Sequence, residues 1–479
     1  MRFRGLIFSL CALSSLLTRA ALPAQIDAST RQFAHDVFKQ LIEINTTDSV
    51  GNVTAAAEAM AQRFRDAGFP ESDIQVLGPN EGKKNLVVRL HGTGAKKPIL
   101  LNGHLDVVEA RREDWTTDPF QFVEKDGFYY GRGTQDMKSD DAIFITVLIR
   151  FFKEGYKPDR DLILALTADE EGGKFNGVDW LLRKHRELID ADFVLNPDNG
   201  AVDTLNGKPI AVAMDGSEKL YADYQLEVTN PGGHSSLPVP DNAIYHLADA
   251  LARLQQYQFP FELSAVTRAY FAKMSTIEKG QTAADMKAIV KKPPDAAAAK
   301  RLSAIPDDNA VMRTTCIPTR LAAGHANNAL PQRATANVNC RILPGHSREE
   351  VRQKLIGILA DPKITVRFVT PDGEVLEKAP DEKGPSPVTL RPDIMQPLER
   401  VVMEMWKVPV VPSMNTGASD AVYTDAAGMP TYGITGVGID VGDVRAHGQD
   451  ERVRAQSFYE GLEFYYHYLK ALAGKSSIH

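Results

Sequence analysis

The stretch LALTADEEGG, residues 164–173, decides how this chain is read. An apolar run suited to the inside of a sheet ends abruptly in Asp169, Glu170 and Glu171, followed by two glycines. Adjacent like charges repel, and burying them without a partner is costly. Either the run turns out into water, or positive charge is held against it. The answer depends on what surrounds the end of that strand.

On either side, residues 30–215 alternate apolar strands with amphipathic helices. KNLVVRL, KPILLNGHLD, RDLILALTADEE and ADFVLNPDNG are short apolar runs that end in polar residues. STRQFAHDVFKQLIEI, read as opened by a Ser/Thr cap, DDAIFITVLIRFFKEG and GVDWLLRKHRELI carry helical periodicity. Near-continuous apolar strands separated by helices predict a mostly parallel sheet covered on both faces, an α/β domain. From residue 216 the texture changes: KLYADYQLEVTN alternates apolar and polar residues, as a sheet with one wet face does. The order strand, helix, strand, strand, helix, strand then predicts a ferredoxin-like α+β sandwich. Residues 262–310, rich in Ala, Lys and Asp, read as a helical, peripheral insertion within it. A linker rich in Pro, Gly and Lys follows, then long helices. The expected division is a leader over 1–24, a catalytic domain over 25–215 and 372–479, and an inserted lid or dimerisation domain over 216–371.

The bulk numbers agree with a two-domain globular protein. The 479 residues are 43% hydrophobic and 24% charged, with a net charge of −7. No basic block stands out, which argues against nucleic acid as a partner. The N-terminus, MRFRGLIFSLCALSSLLTRAALPAQ, has the layout of a secretory signal peptide with cleavage between Ala20 and Ala24. An uncleaved anchor is the alternative, and Cys11 does not sit in a lipidation context. The mature protein is therefore expected to be exported, periplasmic or secreted. Removing the leader leaves Cys316 and Cys340, equally distant from the Asn-Asn pair at 327–328. If their strands pair about that loop the cysteines fall opposite each other, as a disulfide or as two buried thiols.

Potential metal ligands stand at successive strand ends or the turns after them. These are His104 and Asp106, Asp136, Glu170 and Glu171, and Asp198, with His447 before the last helix. In an open α/β sheet, ligands bind beyond the carboxyl ends of the strands. Mixed imidazole and carboxylate donors suit zinc or a similar borderline cation. Singly, each has a plainer reading: Asp136 as a helix cap, Asp198 as a turn residue, His447 as an exposed loop residue. Their joint placement favours a site.

With LLNGHLDVV, GRGTQDMK, TADEEGG, NPGGHSS, NALPQRATANVNCRILPG, GASDA and AHGQDE in this order, the chain resembles the dizinc exopeptidases and deacylases. That family includes glutamate carboxypeptidase, carnosinase-type dipeptidases, aminoacylase, succinyl-diaminopimelate desuccinylase and carboxypeptidase S-like members. The resemblance runs from about residue 30 to the C-terminus. It implies two divalent metal ions, zinc by family habit, bridged by Asp136. His104 and Asp198 would complete one position, Glu171 and His447 the other. Asp106 would orient His104 through its carboxylate, and Glu170 would act as general base on the attacking water.

From the inserted domain, the resemblance implies that His234 stabilises the oxyanion, often across a homodimer. Arg341 and Asn327 would grip a substrate carboxylate, and Gly417 would line the pocket. The implied activity is hydrolysis of peptides with a free C-terminal carboxylate, as a carboxypeptidase or dipeptidase. The alternative is an N-acyl-amino-acid deacylase with the same centre. A non-catalytic carrier is the rival, against which Glu170 argues, since binding alone needs no base.

Overall fold

The computed structural model describes residues 26–371 and 373–474; the expected leader lies outside them. Ten strands of the described residues form one large sheet. Its centre is parallel: Leu162–Thr167, Ile99–His104, Phe193–Asn196 and Thr431–Gly433 lie side by side in that order. All six residues of both Leu162–Thr167 and Ile99–His104 are buried. Their apolar residues suit this position, since helices cover both faces, and the polar ends Asn102, His104 and Thr167 are buried with them. On one face Ala28–Glu43, Lys138–Lys153 and Ala455–Ala473 pack together, with Phe38, Phe144, Phe458 and Tyr465 in the shared core.

Toward the rims antiparallel pairs enter, which apolar patterning alone did not indicate, although the far edge strand Gly438–Asp440 again runs parallel to its neighbour. Asn85–Leu90 runs antiparallel to Leu162–Thr167 and continues the sheet to Ile74–Leu77. At the far side Gly200–Leu205 and Lys208–Glu218 form a hairpin. Its two-residue turn, Asn206-Gly207, has φ of 52° and 73°. Positive φ at both positions is the geometry that lets a tight hairpin follow the sheet twist. The first helix also differs in detail: its cap is Asp27, which accepts from Thr30 N at 2.8 Å, rather than Ser29 or Thr30.

A second, five-stranded sheet begins at Leu220. Its order is Thr315–Ala323, Arg333–Ile342, Leu220–Thr229, Ile364–Val369, Val375–Leu376, all antiparallel. The first four are the ferredoxin-like arrangement. The helices Ala243–Gln256 and Arg348–Leu359 cover the face that carries Ala222, Tyr224 and Leu226. Cys316 stands opposite Cys340 in the register, and the two form a disulfide with Cα atoms 4.1 Å apart.

The insertion is helical but not peripheral. Ala265–Met274, Gly280–Ile289, Ala296–Leu302 and Pro306–Met312 enclose a small core around Phe271, Met286 and Ile289. The first of them packs on Val410–Asn415, a strand of the large sheet. The Ala-, Lys- and Asp-rich composition of the insertion hid this contact, because one helical face, here holding Val266, Thr267 and Phe271, is enough to bury such a helix. Among the described residues no helix is long and apolar enough to cross a membrane.

Candidate metal centre

The strand Leu162–Thr167 delivers its acidic run to the carboxyl edge of the parallel strands, beside the end of Ile99–His104. The three carboxylates then part company. Asp169, with φ of 58°, folds back under the turn. It accepts from Phe175 N at 3.1 Å and pairs with the Lys83 ammonium, which also reaches Asp48 at 2.7 Å. Gly173 lies against this carboxylate: a Cβ there would stand 2.2 Å from Asp169 Oδ2, and its φ is +108°. The second glycine is thus required by Asp169. Lys83→Met leaves a buried carboxylate unpaired, so a loss of about 3–5 kcal/mol is expected. Urea unfolding checks this, and an unchanged midpoint would show that Asp169 is neutral or hydrated.

Glu170 and Glu171 point elsewhere. Their backbone N–H groups donate to the two oxygens of Asp106, at 3.2 and 2.9 Å. The Asp106 carboxylate therefore fixes the turn that presents both glutamates. His104 is oriented by the main-chain carbonyl of Asp106, 3.0 Å from Nδ1, whereas the Asp106 carboxylate is 3.8 Å away. The expected carboxylate–imidazole bond is replaced because both carboxylate oxygens already face N–H donors. Burial pushes the Asp106 carboxyl up to about 6.

His104 Nε2 faces Asp136 Oδ1 at 3.1 Å, and His447 Nε2 faces Asp136 Oδ2, also at 3.1 Å. Asp136 thus stands between two imidazoles with one oxygen toward each. His447 Nε2 also meets Glu171 Oε1 at 2.8 Å. Ligand atoms of His104, Asp136 and Glu171 lie within 4.8 Å of one another, as do those of His104, Glu170 and Asp198. Glu170 is thus as near to its neighbours as a ligand would be, and distance alone does not set it apart from Glu171.

The electrostatics point to missing positive charge. Burial and the charge of Asp136 push Asp198 up to about 8. Burial and Asp198 raise Glu170 well above the ordinary glutamate range. Hydrogen bonds to Asp136 and Glu171 lift His447 to about 10. Burial opposes ionisation of Asp136, but its two imidazole partners outweigh that and hold it low. Among the described residues the ion pairs of Asp136 and Glu171 are with imidazoles only, with no lysine or arginine. Protons alone would hold this cluster together only by neutralising the groups that make it. Divalent cations resolve the conflict and suit a donor set of two imidazoles and several carboxylates.

The family model described as peptidase family M20/M25/M40 matches residues 100–471. The chain belongs to peptidase family M20/M25/M40. A probable carboxypeptidase S-like 2 of Dictyostelium discoideum is 28% identical over 399 residues, 78% of this chain and 71% of that one. The N-fatty-acyl-amino acid synthase/hydrolase PM20D1 of Xenopus tropicalis is 29% identical over 374 residues, 77% of this chain and 71% of its own. The fold matches that of an M20 family metallo-carboxypeptidase, Sso-CP2 from Sulfolobus solfataricus. Its TM-score is 0.68 at 16% identity, covering 94% of this chain and 100% of that one. This M20 member is a hydrolase of amide bonds, with a candidate metal site at His104, Asp136 and Glu171.

Among the described residues, the other expected site residues share no hydrogen bond or ion pair with the ligands of this cluster. His234 is exposed on the short strand Gly233–His234, its Nδ1 2.7 Å from Ser236 Oγ. Asn327 is exposed in the loop before Ala329–Leu330. Arg341 lies over the ring of Tyr221, 4.7 Å from its centroid. Gly417 N donates to Asn415 Oδ1 at 2.7 Å. Asp420 is a brace, accepting from Asn176 Nδ2 at 2.7 Å and Thr167 Oγ1 at 3.2 Å.

Several supporting residues carried no sequence signal. Behind Asp198, Ser419 Oγ joins Asn199 to the Glu218 carboxylate, which accepts from it at 2.8 Å. Lys83 likewise acts on a residue far away in the chain, whereas Glu451 stands inside the AHGQDE motif with no role read for it.

Proposed function

We propose that this M20 hydrolase releases an amino acid with a free carboxylate from a peptide, as a carboxypeptidase or dipeptidase. The observation that carries this reading is Glu170: a half-buried carboxylate with no ion pair to a lysine or arginine among the described residues, held at its backbone beside the ligand cluster. Two divalent cations, zinc by the mix of donors, would be held by His104, Asp136 and Asp198 on one side and by Asp136, Glu171 and His447 on the other. Bound there, they supply water of lowered pKa and polarise the amide carbonyl. Glu170 takes the proton of that water as it attacks and hands it to the departing amine. Arg341, steadied by Tyr221, is the candidate for the substrate carboxylate, which a guanidinium matches as a fork.

N-acyl amino acids are the second reading, favoured by the N-fatty-acyl-amino acid synthase/hydrolase among the relatives. Turnover of dipeptides, longer peptides, N-acetyl and long-chain N-acyl amino acids by zinc-loaded protein separates the two. Cleavage of acyl amino acids alone would reject the peptidase reading. Hydrolysis of none of them, by protein that binds zinc, would reject both.

Two further proposals accompany this reading. Export is supported by the leader over residues 1–24 and by the Cys316–Cys340 disulfide, since such bonds persist in oxidising compartments. Recovery of the chain in the cytosol with its first residues intact would refute it. A homodimer through the inserted domain, which would carry His234 and Asn327 toward a partner's site, is supported by the edge strand Thr315–Ala323. It exposes Ile317 and Leu321 by 61% and 67%. Sedimentation equilibrium at the mass of one chain would refute the dimer.

A further inference from the structure

Two of the ligand candidates stand on segments that would not hold their place unaided. Asp136 ends a turn that starts at Gly131. His447 lies in a loop with φ of 62°, and its side chain is 53% exposed. Yet the two must meet to within a few tenths of an ångström, across more than three hundred residues of sequence.

The fastening comes from two side chains. Glu451 is fully buried, four residues beyond His447. Its Oε1 accepts from Gln135 N at 2.6 Å and from Asp136 N at 3.2 Å. Its Oε2 accepts from Gly133 N at 3.2 Å and from Arg132 Nη1 at 2.5 Å. Arg132 returns to the same loop through Nη2, which donates to Gly448 O at 3.0 Å. Gln135 works in the opposite direction. Its Nε2 donates to Asp443 O at 3.1 Å and Arg452 O at 2.8 Å, and its Oε1 accepts from Arg445 N and Ala446 N at 2.7 and 3.0 Å. Each segment thus contributes a side chain whose polar atoms are taken up by the other's backbone. An amide suits the second position because its NH2 can donate twice while its oxygen accepts twice.

The other half of the cluster has separate supports. His104 ends a buried strand, and Asp198 N donates to Asn196 Oδ1 at 3.1 Å. Neither depends on Glu451 or Gln135.

We propose that Glu451 and Gln135 are positioning residues that lock the Asp136 turn to the His447 loop, so that the cation position completed by Glu171 and His447 depends on them. The position completed by His104 and Asp198 depends on them far less. This rests on the metal reading given above.

Calorimetric zinc titration of the metal-free full chain, with Gln135→Ala and Glu451→Gln beside the wild type, tests it. One of the two binding steps is expected to weaken about 10–100-fold in each variant, the size of effect that residues supporting a ligand have on metal affinity. The other step, which shares only Asp136 with the locked segments, should weaken clearly less. Two steps unchanged from wild type would overturn the proposal. So would two steps weakened alike, which is what general loosening of the fold produces. Gln135→Ala removes no buried charge, so it carries the test should Glu451→Gln fail to fold. A wild-type chain that takes up no zinc overturns the metal reading itself, and is distinguishable because the variants then have nothing to lose.

Discussion

Glu170→Gln is expected to leave the protein folded and able to take up zinc, while kcat falls by about 10²–10⁴-fold. The substitution keeps the size of the side chain and leaves the backbone bond from residue 170 to Asp106 intact. It removes only the ability to accept a proton. At present burial and Asp198 favour the neutral form of Glu170, and a bound cation nearby reverses that preference and readies the carboxylate as a base. Because the group is needed during proton transfer and not to hold substrate, KM should change little beside kcat. Hydrolysis at the wild-type rate would end the general-base assignment. Loss of zinc together with activity would instead make Glu170 a ligand, as its nearness to His104 and Asp198 allows.

The second large effect is expected from Asp136→Ala. This carboxylate is the one group that faces both His104 and His447, an oxygen to each at 3.1 Å. Its removal takes a donor from both halves at once and leaves the two imidazoles with no shared anion between them. Zinc affinity should fall in both binding steps, by more than the roughly 10–100-fold that attends loss of a supporting residue. Activity should become undetectable at zinc levels that saturate the wild type. The contrast with Gln135→Ala is informative, since one variant should weaken both steps strongly and its neighbour one step much more than the other. Retention of two tight equivalents by Asp136→Ala would exclude the bridging arrangement.

The extent to which the sequence foretold this structure varies with the range of the interaction. Strands such as Leu162–Thr167 were legible because full burial demands an unbroken apolar run. Direction was not: Asn85–Leu90 is also mostly apolar and buried, yet it runs antiparallel to Leu162–Thr167. The positions where His104, Asp136, Glu170, Glu171 and Asp198 meet could be anticipated because polar residues at the carboxyl ends of parallel strands converge. Their supports could not. Lys83 meets Asp169 across 86 residues, and no local pattern marks a lysine in a loop as the partner of a buried carboxylate. Asp106 shows a subtler limit. Two residues beyond His104, either its carbonyl or its carboxylate could have served the imidazole, and only the direction of the backbone after the strand separates them. The insertion was misread because composition reports the average of a helix, whereas packing depends on one face.

That insertion changes what kind of motion the molecule permits. Two chain crossings join the domains, near Gly216 and near Val388, and Val388 N donates to Gly216 O at 2.8 Å. A Cβ on Gly216 would stand 2.9 Å from Val388 and 3.3 Å from Val266, so the helix Ala265–Met274 is wedged against the crossings themselves. The same helix lies along Val410–Asn415 of the large sheet. A wide swing of the inserted domain would have to peel it away and expose Val266 to water. Sliding along the strand keeps that face covered. The packing thus favours a short-stroke shear, in which side chains repack by small steps, over a free-turning hinge.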